Sequence, residues 1–123
     1  AIASAYAGEV TGLTILKQGG NHSDTNSTRF IIVTNRNIFV KNAGKVSVCF
    51  EIPHESGSLY HMLSHFIYND LNLTKIESRP IEGRNWEYRF FLDFEGNLLD
   101  SGVQNALKGL KAETAKMKIL GNY

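Results

Sequence analysis

The chain has 123 residues, of which 42% are hydrophobic and 20% charged, and its formal net charge at pH 7 is +1. This length accommodates one domain with a modest core, and the composition is ordinary for a soluble globular protein. The balanced charge argues against nucleic acid and anionic membranes as partners, and the apolar runs are too short to span a bilayer. Because Cys49 is the single cysteine, an intrachain disulfide is impossible, which favours a reducing, cytoplasmic environment.

The N-terminal part of the chain has weak patterns. Residues 1–12 are predicted to form a short helix, because apolar residues recur every four positions and Gly12 follows as a stop. Residues 13–16 and 29–34 are predicted to be short strands on either side of a polar loop. The chain begins at Ala1 without an initiator methionine or a signal-peptide pattern, so we expect a piece of a longer protein.

From residue 42 onward the patterns are much clearer, and we place a domain boundary there. Strands are predicted where apolar and polar residues alternate, and helices where apolar residues recur at i, i+3, i+4 and i+7. The resulting order is β-α-β-β-α-β, which predicts an α+β, ferredoxin-like fold with two helices on one face of a four-stranded antiparallel sheet. The predicted elements are a strand over 46–52, a helix over 59–67, strands over 73–81 and 86–94, a helix starting at Asp100 or Ser101, and a strand over 116–119.

The first of these helices begins at a glycine, Gly57, which permits close approach of a ligand to the backbone. The amides at a helix N-terminus attract an anion such as a carboxylate. A pocket between this helix start and the following strand of a neighbouring subunit would offer donors for a carboxylate and acceptors for an ammonium group. A plainer interpretation is that Gly57 and Pro80 only punctuate the structure while Glu77 and Arg79 form a surface ion pair. Residue spacing alone favours the plainer interpretation.

Two motifs change that balance. The run Glu77-Ser78-Arg79-Pro80 after Asn72-Leu73-Thr74-Lys75-Ile76 resembles a motif shared by ACT domains of prephenate dehydratases and aromatic amino acid hydroxylases. The run Gly57-Ser58-Leu59-Tyr60 is similar to the second motif of these domains, usually Gly-Ala-Leu-Val, with the bulkier Tyr60 in last place. The closing Leu120-Gly121-Asn122-Tyr123 looks like the dehydratase branch.

The resemblance implies an ACT domain over residues 42–123 that forms a homodimer and binds L-phenylalanine as a feedback effector at the dimer interface. We expect no cofactor and no metal. The large Tyr60 leaves open whether tyrosine or tryptophan is also accepted. The residues that the resemblance assigns to effector binding are Gly57, Ser58, Leu59, Tyr60, Asn72, Leu73, Glu77, Ser78, Arg79 and Pro80.

The run Thr28-Arg29-Phe30 resembles the end of a prephenate dehydratase catalytic domain, so residues 1–41 are predicted to be its terminal remnant. In that family the threonine serves the conversion of prephenate to phenylpyruvate, and the role would fall to Thr28. Arg29 would then pair with a substrate carboxylate. Most of the catalytic domain is absent, so we expect no turnover by this chain alone. The alternative is that Thr28 is a cap and Arg29 a strand-edge charge.

Other classes of function remain as alternatives. These are a regulatory domain of an aromatic amino acid hydroxylase, a dimerisation module without ligand, and an RNA-binding module. RNA recognition motifs share the strand order but expose their aromatic rings. Here Trp86, Tyr88, Phe90 and Phe94 share a predicted core face. Whether a chorismate mutase domain lies upstream is left open.

Two histidines, His61 and His65, have a spacing that can bind zinc, but a solvated helix face is the preferred interpretation. Cys49 is on the polar side of its strand and is predicted to be structural and not a nucleophile.

Overall fold

The computed structural model describes residues 2–20, 22, 25, 27–36 and 38–123. The chain divides into two compact units, Ala1–Val33 and Thr34–Tyr123, so the division lies upstream of the predicted boundary at residue 42. No helix in the described part of the chain has the length and apolar character to cross a membrane. The elements are α1 (Ala5–Thr11), β1 (Lys45–Glu51), α2 (Ser58–Ile67), β2 (Leu73–Pro80), β3 (Tyr88–Glu95), α3 (Ser101–Glu113) and β4 (Ala115–Asn122).

The N-terminal unit contains α1, which begins later than predicted and ends where predicted. Ser4 caps it by accepting a hydrogen bond from the amide of Ala7 at 3.2 Å. Gly12 ends it with φ of 68°, the left-handed conformation that glycine adopts without strain. No described residue of this helix is buried, so the predicted apolar stripe is uncovered.

The two strands predicted for this unit are wrong. Residues 13–16 and 29–34, all of which are described, have irregular backbone. A strand forms only where a neighbouring strand pairs with its backbone groups, and no described residue pairs with these two segments. The β-branched residues of 29–34 therefore favour a strand, but among the described residues this segment has no strand to pair with. Phe30, Ile31, Ile32 and Val33 are all exposed.

The second unit has the predicted β-α-β-β-α-β order, and the ferredoxin-like fold is confirmed. Its four-stranded sheet has the order β2-β3-β1-β4, and every neighbouring pair of strands is antiparallel. Alternation along the strands makes one face apolar, since side chains i and i+2 point the same way. The central row on that face contains Val48 and Leu92, which are directly paired and fully buried.

Helices α2 and α3 cover the apolar face. Phe66 on α2 meets Phe94 on β3 edge to face, with ring centroids 5.1 Å apart, and both residues are fully buried. From α3, Val103, Leu107 and Leu110 complete the core, as the spacing of the sequence predicts. The prediction that Trp86 shares this core face is wrong. Trp86 is 73% exposed and precedes the start of β3.

Trp86 departs from the predicted pattern because it belongs to a tight turn. The amide of Ile81 donates to the carbonyl of Glu87 at 3.0 Å, and the amide of Arg84 donates to the carbonyl of Ile81 at 3.1 Å. Within this turn Trp86 has φ of 65°, which is rare for a bulky residue. The alternation of the sequence continues through the turn, whereas the alternation of the backbone starts only at Tyr88.

His65 is also placed differently from its predicted solvated position. It lies on the side of α2 that faces α3, where its Nε2 is 3.3 Å from Oε1 of Glu113 and its side chain is 21% exposed. Cys49 is on the helix-free face of the sheet, as predicted, and is buried between its neighbouring strands.

Candidate ligand-binding site

The start of α2 presents two backbone amides that find no acceptor in the described part of the chain. Gly57 precedes the helix with φ of 84°, and a Cβ at this position would have the His61 ring as its nearest neighbour at 3.8 Å, so conformation and not crowding requires glycine here. The amide of Ser58 donates to the carbonyl of Glu55 at 3.2 Å. The amides of Leu59 and Tyr60 donate to no acceptor among the described residues. These free donors at the positive end of the helix dipole suit a carboxylate.

A small cavity lies beside this helix start. Its volume is about 140 Å³, and an engineered cavity of about 150 Å³ in another protein binds benzene. Three aromatic residues from the beginning of β3 and the turn before it contribute to its wall. The lining residues are Ile52, Pro53, His54, Glu55, Ser58, Leu59, Trp86, Tyr88 and Phe90. The cavity is thus comparable in volume to one that accepts a small aromatic ring, and its lining combines apolar side chains with the polar His54, Glu55 and Ser58.

The alternating sequence pattern places the three aromatic residues in the core and misses their position at the cavity. The antiparallel pairing of β1 with β3, in which Glu51 pairs with Arg89, is what predicts the position of these aromatic residues at the cavity. This register puts the start of β3 next to the end of β1, and the end of β1 leads into α2. A side chain at position 88 or 90 is therefore close to the helix start, whatever its contribution to the core.

The predicted residues on β2 lie on two different faces of the sheet. Ser78 pairs with Phe90 and is on the helix-covered face, whereas Glu77 pairs with Phe91 and is on the helix-free face. Arg79 shares the helix-free face with Glu77. Among the described residues, no hydrogen bond or ion pair joins residues 57–60 to residues 77–80. A single copy of the chain does not bring the two motifs together.

Glu77 forms the surface ion pair that the plainer interpretation predicts. Its carboxylate is 3.0 Å from Nζ of Lys75 and 2.6 Å from Nη2 of Arg79, both on the same strand. The hydrogen bond from Lys75, followed by that from Arg79, lowers the pKa of Glu77 below its ordinary value. Glu77 is therefore ionised at neutral pH, and its charge is compensated by its own strand.

The remaining predicted residues are dispersed. Asn72 donates from Nδ2 to Oε2 of Glu95 at 3.1 Å, and Leu73 packs against the core, both at the end of β2 opposite to Pro80. Thr28 and Arg29 lie in the N-terminal unit, in an irregular segment, and both are exposed.

An ionic cluster around one buried carboxylate supports the turn that contains Trp86. Glu51 is 4% exposed, and its carboxylate accepts from Nη2 of Arg84 and from Nη2 of Arg89, each at 2.6 Å. Nζ of Lys116 is 3.8 Å away. The hydrogen bond from Arg89 is the main cause of a lowered pKa for Glu51, with Arg84 contributing against the opposing effect of burial. Because Arg84 is in the turn, the cluster fixes the turn against β1 and β3.

The cluster was missed because its residues are far apart in the sequence. Glu51 and Arg89 are both on polar sides of their predicted strands, and opposite charges directly across an antiparallel pair attract. The register between the two strands, which the sequence pattern alone does not give, would have revealed the pair. The contacts of Arg84 and Lys116 could not be predicted either, because Arg84 lies in a turn and Lys116 in an edge strand.

The sheet order, the two helices on one face and the open helix start define a ferredoxin-like ACT domain. No protein-family model matches the chain. Along its whole length the chain is 40% identical to the bifunctional chorismate mutase/prephenate dehydratase of Aquifex aeolicus and covers 34% of that protein. It is 34% identical, over 139 aligned residues, to arogenate dehydratase/prephenate dehydratase 6 of Arabidopsis thaliana, and again covers 34% of the relative. The chain thus spans about a third of the length of these relatives.

Solved structures give the same relationship. The prephenate dehydratase of Arthrobacter aurescens in complex with L-Phe matches with a TM-score of 0.63 and 32% identity, over 73% of this chain and 30% of that chain. The prephenate dehydratase of Streptococcus mutans matches with a TM-score of 0.57 and 38% identity, over 69% of this chain and 45% of that one. The homologues of this chain thus include prephenate dehydratases, and the part of them that it matches is C-terminal.

Proposed function

We propose that the chain is the regulatory part of a cytoplasmic prephenate dehydratase and that its ACT domain binds L-phenylalanine for feedback inhibition. The observation that carries this proposal is the pair of free amides at Leu59 and Tyr60 beside a cavity of about 140 Å³ with aromatic walls. A structural relative at 32% identity is a complex with L-Phe, which supports the same ligand here.

The ligand would bind by its two ends. Its carboxylate would accept hydrogen bonds from the amides of Leu59 and Tyr60, and its phenyl ring would enter the cavity between Leu59 and Tyr88. Glu55, which lines the same cavity, would offer an acceptor to the ammonium group. Burial of the ring would supply most of the affinity, because the polar groups exchange water for similar partners.

The proposed homodimer would complete the site. Strand β2 is an edge strand with unpaired backbone groups on one side, and such an edge can pair with a second copy. Pairing of two β2 edges about a two-fold axis perpendicular to the sheet keeps the helices of both copies on one side. Ser78, on the helix-covered face, would then approach the α2 start of the partner, while Glu77 would stay on the opposite face.

The regulatory mechanism would be a shift between dimer arrangements. L-phenylalanine stabilises the arrangement that it binds more tightly, and the parent enzyme becomes less active in that arrangement. Residues 1–41 would be the terminal part of the catalytic domain, with Thr28 acting on the departing hydroxyl of prephenate and Arg29 on a carboxylate. The chain alone would not convert prephenate. The relatives of the chain are dehydratases, which speaks against the aromatic amino acid hydroxylase alternative.

Calorimetric titration of the chain with L-phenylalanine tests the proposal, with D-phenylalanine and L-tyrosine as ligand controls. We expect saturable, stereospecific heat that Gly57→Ala abolishes. Gly12→Ala is the matched control, since Gly12 also has positive φ and an uncrowded Cβ position but lies in the N-terminal unit. A folded dimer that releases no heat with L-phenylalanine would instead favour a dimerisation module without ligand.

A further inference from the structure

The β3–α3 loop binds the segment that leads into β1 through the side chain of Asn97 and through the amide of Gly96, which donates to the carbonyl of Gly44 at 2.9 Å. Asn97 donates from Nδ2 to the carbonyl of Lys41 at 3.0 Å and to the carbonyl of Ala43 at 2.9 Å. Its Oδ1 accepts from the amide of Leu99 at 3.0 Å. The amide group of Asn97 thus joins two segments that are more than fifty positions apart in the sequence.

The end of the chain holds the same segment from another side. Asn122 is 4% exposed; it donates from Nδ2 to the carbonyl of Lys45 at 3.0 Å, and its Oδ1 accepts from the amide of Leu98. The carbonyl of Tyr123 accepts from the amides of Gly44 and Lys45 at 3.1 and 2.8 Å. Residues 38–45, which we call the entry segment, therefore lie against both the β3–α3 loop and the end of β4.

The β3–α3 loop is also connected to the helix that carries the proposed ligand site. It leads directly into α3, with Asp100 at the N-cap position. Helix α3 approaches α2 closely where Gly109 lies beside His65, and Gly102 of α3 lies beside the carbonyl of Asn69, just after the end of α2. Because a close-packed interior transmits strain, we expect a displacement of α2 to reach α3 and the loop at its start.

We infer that Asn97 is a positioning residue that fixes the entry segment to the rest of the ACT domain. Through Asn97, ligand binding at α2 would reduce the mobility of the entry segment. The inference rests on the proposed function, because L-phenylalanine is the ligand. The entry segment is the part of the second unit through which any upstream part of the chain is attached. A ligand that changes its freedom changes how firmly the upstream part is held.

Amide hydrogen exchange of the whole chain, with and without saturating L-phenylalanine, tests the inference. Asn97→Asp keeps the acceptor for the Leu99 amide and removes both donors, and Asn105→Asp on the exposed side of α3 is the matched control. Without ligand, we expect Asn97→Asp to speed exchange in the entry segment about tenfold and Asn105→Asp to leave it unchanged. With ligand, the wild-type chain should gain protection at 57–61 and at 38–45.

In Asn97→Asp the ligand should still protect 57–61 and bind with the same affinity in calorimetry, but it should no longer protect 38–45. Unchanged exchange of the entry segment in Asn97→Asp, or wild-type protection confined to 57–61, would overturn the inference. If L-phenylalanine produces neither heat nor protection at 57–61, the proposed function fails and the ligand-dependent part of the inference fails with it. The ligand-free comparison then still decides whether Asn97 fixes the segment. Asn97→Ala, which adds no charge, replaces Asn97→Asp if that variant does not fold.

Discussion

His65 on α2 lies so close to Gly109 on α3 that a Cβ at position 109 would be 2.5 Å from Nδ1 of the His65 ring. The two helices approach each other here because one of them has no side chain at the contact. Glycine in the middle of a helix costs about 1 kcal/mol relative to alanine, so its use at this position is explained by packing and not by helix propensity.

We therefore predict that Gly109→Ala destabilises the chain in spite of the gain in helix propensity. Overpacking costs typically about 1–3 kcal/mol and the gain in helix propensity offsets about 1 kcal/mol of it, so the net loss in unfolding free energy should be at most roughly 2 kcal/mol in chemical denaturation. The double variant His65→Ala/Gly109→Ala should recover most of this loss, because the ring that clashes is gone. A single variant that is more stable than the wild-type chain would show that the ring moves aside freely.

The buried Glu51 cluster makes a prediction about acid stability. The pKa of Glu51 is lowered in the folded chain, so its ionised form contributes stability that is present at pH values above its unfolded pKa. That contribution is lost as the pH falls through the lower, folded pKa, in the acid range. Glu51→Gln should reduce the unfolding free energy at pH 7 by about 2 kcal/mol, and the difference from wild type should shrink as the medium is acidified.

Glu77→Gln is the comparison for that experiment. The pKa of Glu77 is lowered too, but its side chain is 34% exposed and those of its partners Lys75 and Arg79 are 54% and 69% exposed. Exposed ion pairs are screened and contribute little, so Glu77→Gln should change stability at pH 7 only slightly. Denaturation of the three proteins at several pH values distinguishes the two carboxylates. Equal losses for both variants would mean that the burial of Glu51 does not strengthen its ion pairs.

The sequence patterns predicted the fold of the second unit because helices cover only one face of its sheet, so apolar and polar residues alternate along the strands. Alternation over 46–52 and 88–94 corresponds to real burial on the helix side, and the α3 stripe of Val103, Leu107 and Leu110 is the one that packs. The prediction fails at Trp86, where a turn with positive φ interrupts the backbone alternation while the sequence alternation continues. The pattern of apolar and polar residues can continue across a turn, so the pattern alone does not reveal where the strand begins.

The first unit and the ligand site were harder to predict for a different reason. A segment such as 29–34 forms a strand only if another strand pairs with it, and that partner is distant in the sequence. β-Branched composition therefore favours a strand but does not show that a partner is present. The two motifs lie at the start of α2 and along β2 in the structure, but the family resemblance does not give the face on which Glu77 lies. That face follows from the register with β3, which only the structure provides.

The exposed segment 29–34 makes a prediction about solubility. Ile32 is 98% exposed, so Ile32→Lys should leave the unfolding free energy unchanged within about 0.5 kcal/mol. It should also reduce self-association at high concentration, because exposed β-branched runs promote pairing between chains. Light scattering and denaturation measure both effects. The matched substitution Val48→Lys, at a fully buried position, should prevent folding. A large loss of stability in Ile32→Lys would show that the segment is packed in solution.

The single tryptophan offers a direct probe of the cavity. Trp86 lines the cavity and is 73% exposed, so a ligand that fills the cavity should remove water from its indole ring. Emission should shift to shorter wavelength on addition of L-phenylalanine, with a midpoint equal to the calorimetric one. D-phenylalanine should produce no shift. Calorimetric binding without any change in emission would place the ligand away from the cavity.

Two copies of the chain contribute to each site of the proposed dimer. Each site would combine Gly57 of one copy with Ser78 of the other, so the same two residues would meet twice across the two-fold axis. Gly57→Ala and Ser78→Arg should each abolish binding of L-phenylalanine in the pure variant. When the two variants are unfolded together and refolded as a mixture, about half of the dimers should be mixed, and one of the two sites in each mixed dimer has both native residues. Calorimetry should then recover about a quarter of the wild-type number of sites, at wild-type affinity.

Mixing Gly57→Ala with Glu77→Gln provides the control for refolding, since Glu77 lies on the opposite face and its variant should bind on its own. No recovery in the first mixture, with normal dimers formed, would mean that each site is built within a single chain.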